Sequence, residues 1–278
     1  RLVEEIVPDF VGADDLPLAG REEQWDFITH YRVDLTMEER NLEKAERLQR
    51  VRVDWNRNRA ASLLARPAES LSAGEKNRLR TLAVSLEQLA IMLREQGKAE
   101  CVEPSKEAIG IYQLIGDKST EAISAFNLGH AYKDLPALRN LDEAERWYRR
   151  SLELRAEGDK LGRSKTIDQI GMVIELRFEE AIQAKKTNEE ILNLANQALE
   201  AYQQSLEWAP PDALDKLAIS HEHIATIYAR TGYLDKALPH YQDAIHYHEL
   251  QENFYVAGQT RFNFALQLAN NGRLSDAL

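Results

Sequence analysis

The sequence has a single cysteine, no run of 18 apolar residues and no glycine-rich phosphate loop. One thiol, Cys101, excludes an internal disulfide framework and suits a reducing, cytoplasmic setting. Without about 18 to 20 consecutive apolar residues, no helix spans a bilayer. No G-x-x-x-x-G-K-[ST] motif occurs, so nothing here cradles nucleotide phosphates. Positive charge is also scarce: 35 Lys and Arg face 46 Asp and Glu, a net charge of −11. Nucleic-acid affinity draws on Lys and Arg neutralising phosphates, so a nucleic-acid reader is not expected. The start, "RLVEEIVPDF", has neither a Met nor the basic, apolar and small-residue order of a signal peptide, and reads as a cut end.

What remains is a folded, helix-favouring composition over 278 residues, 44% hydrophobic and 29% charged. One basic stretch, Arg40 to Arg59, carries Arg40, Lys44, Arg47, Arg50, Arg52, Arg57 and Arg59, and reads as a solvated helix face or an anchor for a neighbour. The main feature is repetition. "HIATIYARTGYLDKAL" (His223–Leu238) aligns without a gap on "NFALQLANNGRLSDAL" (Asn263–Leu278). The same signature occurs in "NLGHAY" with Ala144, Tyr148 and Ser151, and in "QIGMVI" with Ala198, Tyr202 and Ser205. It begins with "QLAIML", followed by Gly97, Ala108 and Tyr112. A small residue anchors each copy, at Ala90, Gly129, Gly171, Ala225 and Ala265, with spacings of 39, 42, 54 and 40 residues.

These residues resemble the tetratricopeptide repeat, a helix-turn-helix unit in which a small residue of the first helix and an alanine of the second let the two approach closely. The plain repeat is about 34 residues long. The resemblance covers roughly residues 72–278 and implies an all-α, right-handed superhelix of about five helix pairs, the last one truncated. The third copy's insertion, "ELRFEEAIQAKKTNEEILNLANQ", is expected to lengthen both of its helices. Apolar residues at three- and four-residue spacing support amphipathic helices independently. Thr36 with Glu39, Ser72 with Glu75 and Thr187 with Glu190 read as capping boxes. Gly97, Gly232 and Gly272 stand where first helices should end. A large side chain at Gly129 or Gly171 should overpack the helix contact. Residues 1–71 read as a loop, a short helix around Trp25 and a long helix from Thr36 to about Ala65, forming a linker or a degenerate leading repeat.

Nothing in the sequence supports catalysis, a metal or a cofactor. "LAGREEQ" (Leu18–Gln24) is similar to the segment that often precedes nucleotide-binding domains of signalling NTPases, but no phosphate loop follows it. His221, His223, His240, His246 and His248 include pairs two residues apart, which do not share a helix face, so they read as surface histidines with no metal. No base accompanies Cys101 in "KAECVEP", which reads as a buried bystander.

In stacks of the family the resemblance names, first helices line a concave groove, and the position two before each small residue points into it. Here that position holds Gln88, Asn127, Gln169, His223 and Asn263. Carboxamides both donate and accept, so such a row can grip the backbone of an extended peptide; it also suits a solvated groove or a bond to the next helix. Phe126, Ile123, Phe262 and Met172 are expected beside it as apolar contacts, with His130, Lys133, Asp168, Glu222 and Arg230 as mixed charges. Five neutral hydrogen bonds give about 3–7 kcal/mol, short of the roughly 8 kcal/mol of a micromolar complex. Side-chain pockets must therefore add to the row. The family's Lys/Asn/Arg clamp for a C-terminal carboxylate is not reproduced, so chaperone docking is not expected.

The longer repeats, with "YQLIGDKSTEA" and "RAEGDKLGRSK" between helix pairs, resemble those in sensor regions of bacterial signal-transducing (STAND) ATPases and of partners of caspase-like proteases. This implies a non-catalytic module that clasps a peptide or protein and works with neighbouring domains of a longer chain. A structural scaffold or oligomerisation element is the alternative. The terminal "GRLSDAL" reads as a second helix cut after one turn, which would leave Phe264 and Leu268 uncovered.

Overall fold

The computed structural model describes residues 6–12 and 14–273. Among them are eleven α-helices and no strand; one isolated antiparallel bridge joins Val11 to Pro17. The chain divides into two compact units, 1–140 and 141–278.

The first unit holds α1 (Glu22–Glu38), α2 (Leu42–Leu64), α3 (Ala73–Glu95), α4 (Val102–Ile115) and α5 (Lys118–Asp134), each packed on the next. Local chemistry sets the breaks. Ser72 and Glu75 form the expected capping box at the start of α3. Asp117 caps α5 by accepting from the Thr120 amide, which explains the G-D-K that precedes it. Gly97 and Gly116 take φ of +74° and +75° where α3 and α4 end, a region other residues enter at a cost.

The expected helix from Thr36 to Ala65 is corrected. Thr36 lies inside α1, where its hydroxyl donates to the Arg32 carbonyl, and no box forms with Glu39. The chain turns at Arg40, φ +58°, and α2 begins at Leu42, capped by the Asn41 side chain on the Lys44 amide. Residues 22–64 thus form a helix pair, and α2 packs on α3. Its core is Trp25, wholly buried, edge-on to Trp55 at 5.7 Å and donating its indole N–H to the Asp15 carbonyl at 2.8 Å. The basic stretch is largely spent inside the unit. Arg47 pairs with Asp15 at 2.7 Å, Arg57 grips both oxygens of Glu107 on α4, and Arg52 is buried on Asp26. Burial opposes the charge on Asp15, but the Arg32 and Arg47 guanidiniums outweigh it and hold its carboxyl below the usual range.

The second unit holds α6 (Leu141–Leu154), α7 (Lys160–Gln183), α8 (Asn188–Trp208), α9 (Leu214–Arg230), α10 (Leu234–Leu250) and α11 (Phe254–Asn270), again packed in sequence. The insertion does lengthen both helices of the third copy, to 24 residues in α7 and 21 in α8. The capping box of Thr187 and Glu190 starts α8, and Asp159 caps α7. A Cβ at Gly171 would lie 2.8 Å from the Tyr202 ring, so the close approach expected there is present. The alanine–tyrosine pairs of the second helices, Ala144 with Tyr148, Ala198 with Tyr202 and Ala237 with Tyr241, are all buried. Leu268 is buried with Ala237 and Tyr241, and Phe264 packs at 4.6 Å from Tyr241. Leu268 is therefore covered, contrary to the expectation of an uncovered end, while Phe264 is half-buried against α10. Leu274 to Leu278, and with them the match of Ala277 to Ala237, lie outside the described residues.

Candidate functional site

The first helices of the pairs are α1, α3 and α5 in the first unit and α7, α9 and α11 in the second. Within each unit, side chains tie one first helix to the next. Glu87 of α3 accepts from Ser124 of α5 at 2.9 Å. Asp168 of α7 accepts from Ser220 of α9 at 3.0 Å, and Glu222 of α9 accepts from Thr260 of α11. Each acid stands three residues before its small residue, and each hydroxyl five before the small residue of the next copy. This acid–hydroxyl ladder was missed in the sequence, although its signal is there: Ser85, Ser124, Thr166, Ser220 and Thr260 fill the same position in all five copies. Lys216 of α9 adds a buried ion pair to Asp168 at 2.5 Å.

Four of the five predicted row residues are bonded to neighbouring side chains, three of them from one first helix to another. Gln88 accepts from Arg52 and lies 3.1 Å from His30. The Asn127 side chain donates to Glu87 at 3.2 Å, and its backbone carbonyl accepts from Arg94 at 3.3 Å, while its side-chain oxygen Oδ1 accepts no hydrogen bond among the described residues. Gln169 accepts from the Tyr148 hydroxyl at 3.4 Å and donates to the Met172 sulfur. His223 lies 2.9 Å from Glu175 and stacks on the Tyr202 ring at 4.7 Å. Burial opposes protonation of His223, but the hydrogen bond and charge of Glu175 outweigh it and raise its pKa. Asn263 is exposed and makes no side-chain hydrogen bond among the described residues.

The flanking residues divide. Phe262 is 68% exposed and Ile123 46% exposed, whereas Phe126 is half-buried, edge-on to His130 at 4.6 Å. Burial pushes the His130 imidazole down to about 4, with Lys133 adding to the effect and Asp134 opposing it. Met172 is half-buried. Lys133 is buried and pairs with Asp134, Asp168 and Glu222 belong to the ladder, and Arg230 pairs with Glu179. Val84, Ile123 and Ile219 occupy one equivalent position, six residues before the small residue of α3, α5 and α9, and all three are exposed.

The histidines depart from the expected solvated surface, because α9 packs closely on α10. Only His246 of the five is exposed; His248 is buried against Glu222 at 3.3 Å. His221 and His240 meet across the two helices with their Nδ1 atoms 3.0 Å apart. Burial pushes both imidazoles down, opposed in each case by Asp243. Cys101 is buried, and burial pushes its thiol up, away from the reactive thiolate.

No protein-family model matches this chain, and no curated protein matches it. Solved structures do. The chain is similar to the crystal structure of BtubC (BKLC) from P. vanneervenii, 17% identical over 82% of each chain with a TM-score of 0.56. The fold is an all-α helical repeat. The crystal structure of MamA matches at 14% identity over 80% of this chain and 96% of that one, with a TM-score of 0.45. No helix among the described residues is long and apolar enough to cross a membrane.

Proposed function

We propose that this chain is a non-catalytic protein-interaction module, of the tetratricopeptide type its sequence resembles, that binds an extended peptide or protein segment along its first helices. The observation that carries this reading is the register of Val84, Ile123 and Ile219. Apolar side chains more than a third exposed recur at one position of the first helices, at 36 and 46% on α3 and α5 of the first unit and at 42% on α9 of the second. Phe262 and Leu266 extend the apolar surface on α11. Burying one such side chain contributes up to about 1.5–3 kcal/mol. In the second unit, Ile219, Phe262 and Leu266 with the whole amide of Asn263 reach the roughly 8 kcal/mol of a micromolar complex. In the first, Val84 and Ile123 with the open side-chain carbonyl of Asn127 fall a little short of it. The acid–hydroxyl ladder holds these helices in place beforehand, which lowers the ordering cost of binding.

A role as the sensor or regulatory part of a larger bacterial signalling protein, in the cytoplasm, rests on the likeness of the long repeats to those sensor regions and on the lone buried thiol. A scaffold or oligomerisation role is the second reading, favoured by the same exposed apolar surface if its occupant is another copy. Peptides selected against the chain from a display library, with affinities measured by fluorescence anisotropy, test the choice. Phe262→Ala combined with Asn263→Ala, both at exposed positions, should weaken ligands of the second unit at least tenfold. Ile123→Asp should do the same for ligands of the first. Undiminished affinity in both variants would sink the reading. Concentration-dependent self-association with no peptide selected would favour the scaffold.

A further inference from the structure

We propose that His221, His240 and Asp243 form a binding site for a divalent transition-metal ion, with zinc the best match to the ligands, between α9 and α10. His240 and Asp243 are three residues apart on α10 and so share a face, and His221 reaches them from α9. The two Nδ1 atoms are 3.0 Å apart, and Asp243 Oδ2 is 3.4 Å from His221 Nδ1. One ligand atom from each residue lies within 4.8 Å of the other two. With metal–ligand bonds of about 2.0–2.2 Å, two donors on a tetrahedral ion stand about 3.3–3.5 Å apart. The His221–Asp243 separation already has this value, the imidazoles need to part by about 0.3–0.5 Å, and the His240–Asp243 separation, within 4.8 Å, has to close towards it.

The donor set points to the kind of ion. Two imidazoles and one carboxylate suit zinc, copper or nickel, whereas calcium and magnesium call for oxygen ligands. Three protein ligands leave a fourth tetrahedral position open. The Asp243 side chain is 54% exposed, so that position is accessible to water or to a side chain of a bound partner. Tyr247 flanks His221 at 5.8 Å and Tyr228 flanks His240 at 5.9 Å, so each imidazole has an aromatic ring beside it. A hydrogen bond between the imidazoles explains their approach, since one Nδ1 can donate to the other. It leaves unexplained why a carboxylate oxygen converges on the same point. A bound ion would staple the first helix of this pair to the second.

Isothermal titration of the chelator-stripped full chain with Zn²⁺ should show one saturable site. His240→Gln should weaken it at least tenfold and Asp243→Asn several-fold, while His246→Gln, at an exposed histidine outside the cluster, should leave it unchanged. Equal binding by all four proteins, as expected of an adventitious ion only, or no saturable binding, would overturn the proposal. A readout on the unaltered chain guards against variants that fail to fold. In ¹⁵N-imidazole NMR of the wild type, Zn²⁺ should move the Nδ1 resonances of His221 and His240. Shifts confined to the other histidines would reject the site.

Discussion

Where α1 meets α2 a buried polar network lies beside the Trp25–Trp55 contact; where α7 meets α8 a glycine meets an aromatic ring. In the first pair Arg52, 4% exposed, forks onto Asp26 with two bonds of 2.9 Å and donates a third to Gln88. Asn56 completes the network by donating to the same Asp26 carboxylate at 2.8 Å. In the α7–α8 pair the wholly buried Tyr202 fills the space a Cβ at Gly171 would take, with Ile167, Val173 and Phe178 buried along α7. The two chemistries fail differently. A polar network depends on every member, because removing one leaves a charge buried without its partner. An apolar contact depends on volume, and is harmed by an added atom as readily as by a lost one.

The largest effect should come from the polar pair. Arg52→Met keeps the length and apolar character of the side chain but strands Asp26. Breaking a buried pair costs about 3–5 kcal/mol, and the low end applies because the Asp26 side chain keeps 18% exposure. Amide hydrogen exchange should show protection falling over residues 22–64 and unchanged over 160–208. Protection that survives in α1 and α2 would mean that Trp25 and its apolar neighbours hold the pair without Arg52. The next effect is on the other side of the comparison. Gly171→Ala places a methyl 2.8 Å from a ring that has no exposed side to retreat to, at a cost of about 1–3 kcal/mol. Its loss of protection should fall on α7 and α8 alone. No measurable loss there would show that the Tyr202 ring has room to move, and that the contact is looser than its geometry.

The same contrast explains what could be read from the sequence. The small residues, the alanine–tyrosine pairs, the turn glycines and two capping boxes each follow from one residue type at one spacing, so the helix pairs from Ala73 onwards were legible. The α1–α2 pair was not. Part of its contact is made by Arg52, Asp26 and Asn56, residue types that elsewhere mark a solvated surface, and nothing in their spacing announces burial. The row from Gln88 to Asn263 was found by register, but register does not reveal which side chains are already bonded to a neighbour. The acid–hydroxyl ladder is the reverse case. Its serine and threonine positions repeat without exception, and only the pairing across helices gives them meaning. The meeting of His221 with His240 and Asp243 also needed the fold, since the three come from two helices.

The smallest expected effect concerns pH, and there one histidine of each unit, His130 and His223, should respond with opposite sign. His130 in the first unit is held neutral by burial, its pKa lowered from 6.5 to about 4. An unfolded chain binds a proton there below about 6.5 while the folded chain does not, so folding loses stability as pH falls from about 6.5 towards 4. His223 in the second unit is raised above 6.5, because the Glu175 hydrogen bond and charge overcome its burial. Its contribution is complete below the unfolded value and is lost as pH rises through the raised one. His221 and His240 are lowered and oppose it within the same unit. The clean measurement is therefore the difference between wild type and a single variant, read by hydrogen exchange in each unit. His223→Gln should cost the second unit more at pH 6 than at pH 9, because only the protonated imidazole gains from Glu175. His130→Gln should make the first unit less sensitive to acid between pH 6 and pH 4.5, because the site no longer has a proton to refuse. If both substitutions shift stability in the same direction as acid is added, then the Glu175 carboxylate does not outweigh burial at His223. The stacked imidazole would then be a packing element, as His130 is against Phe126.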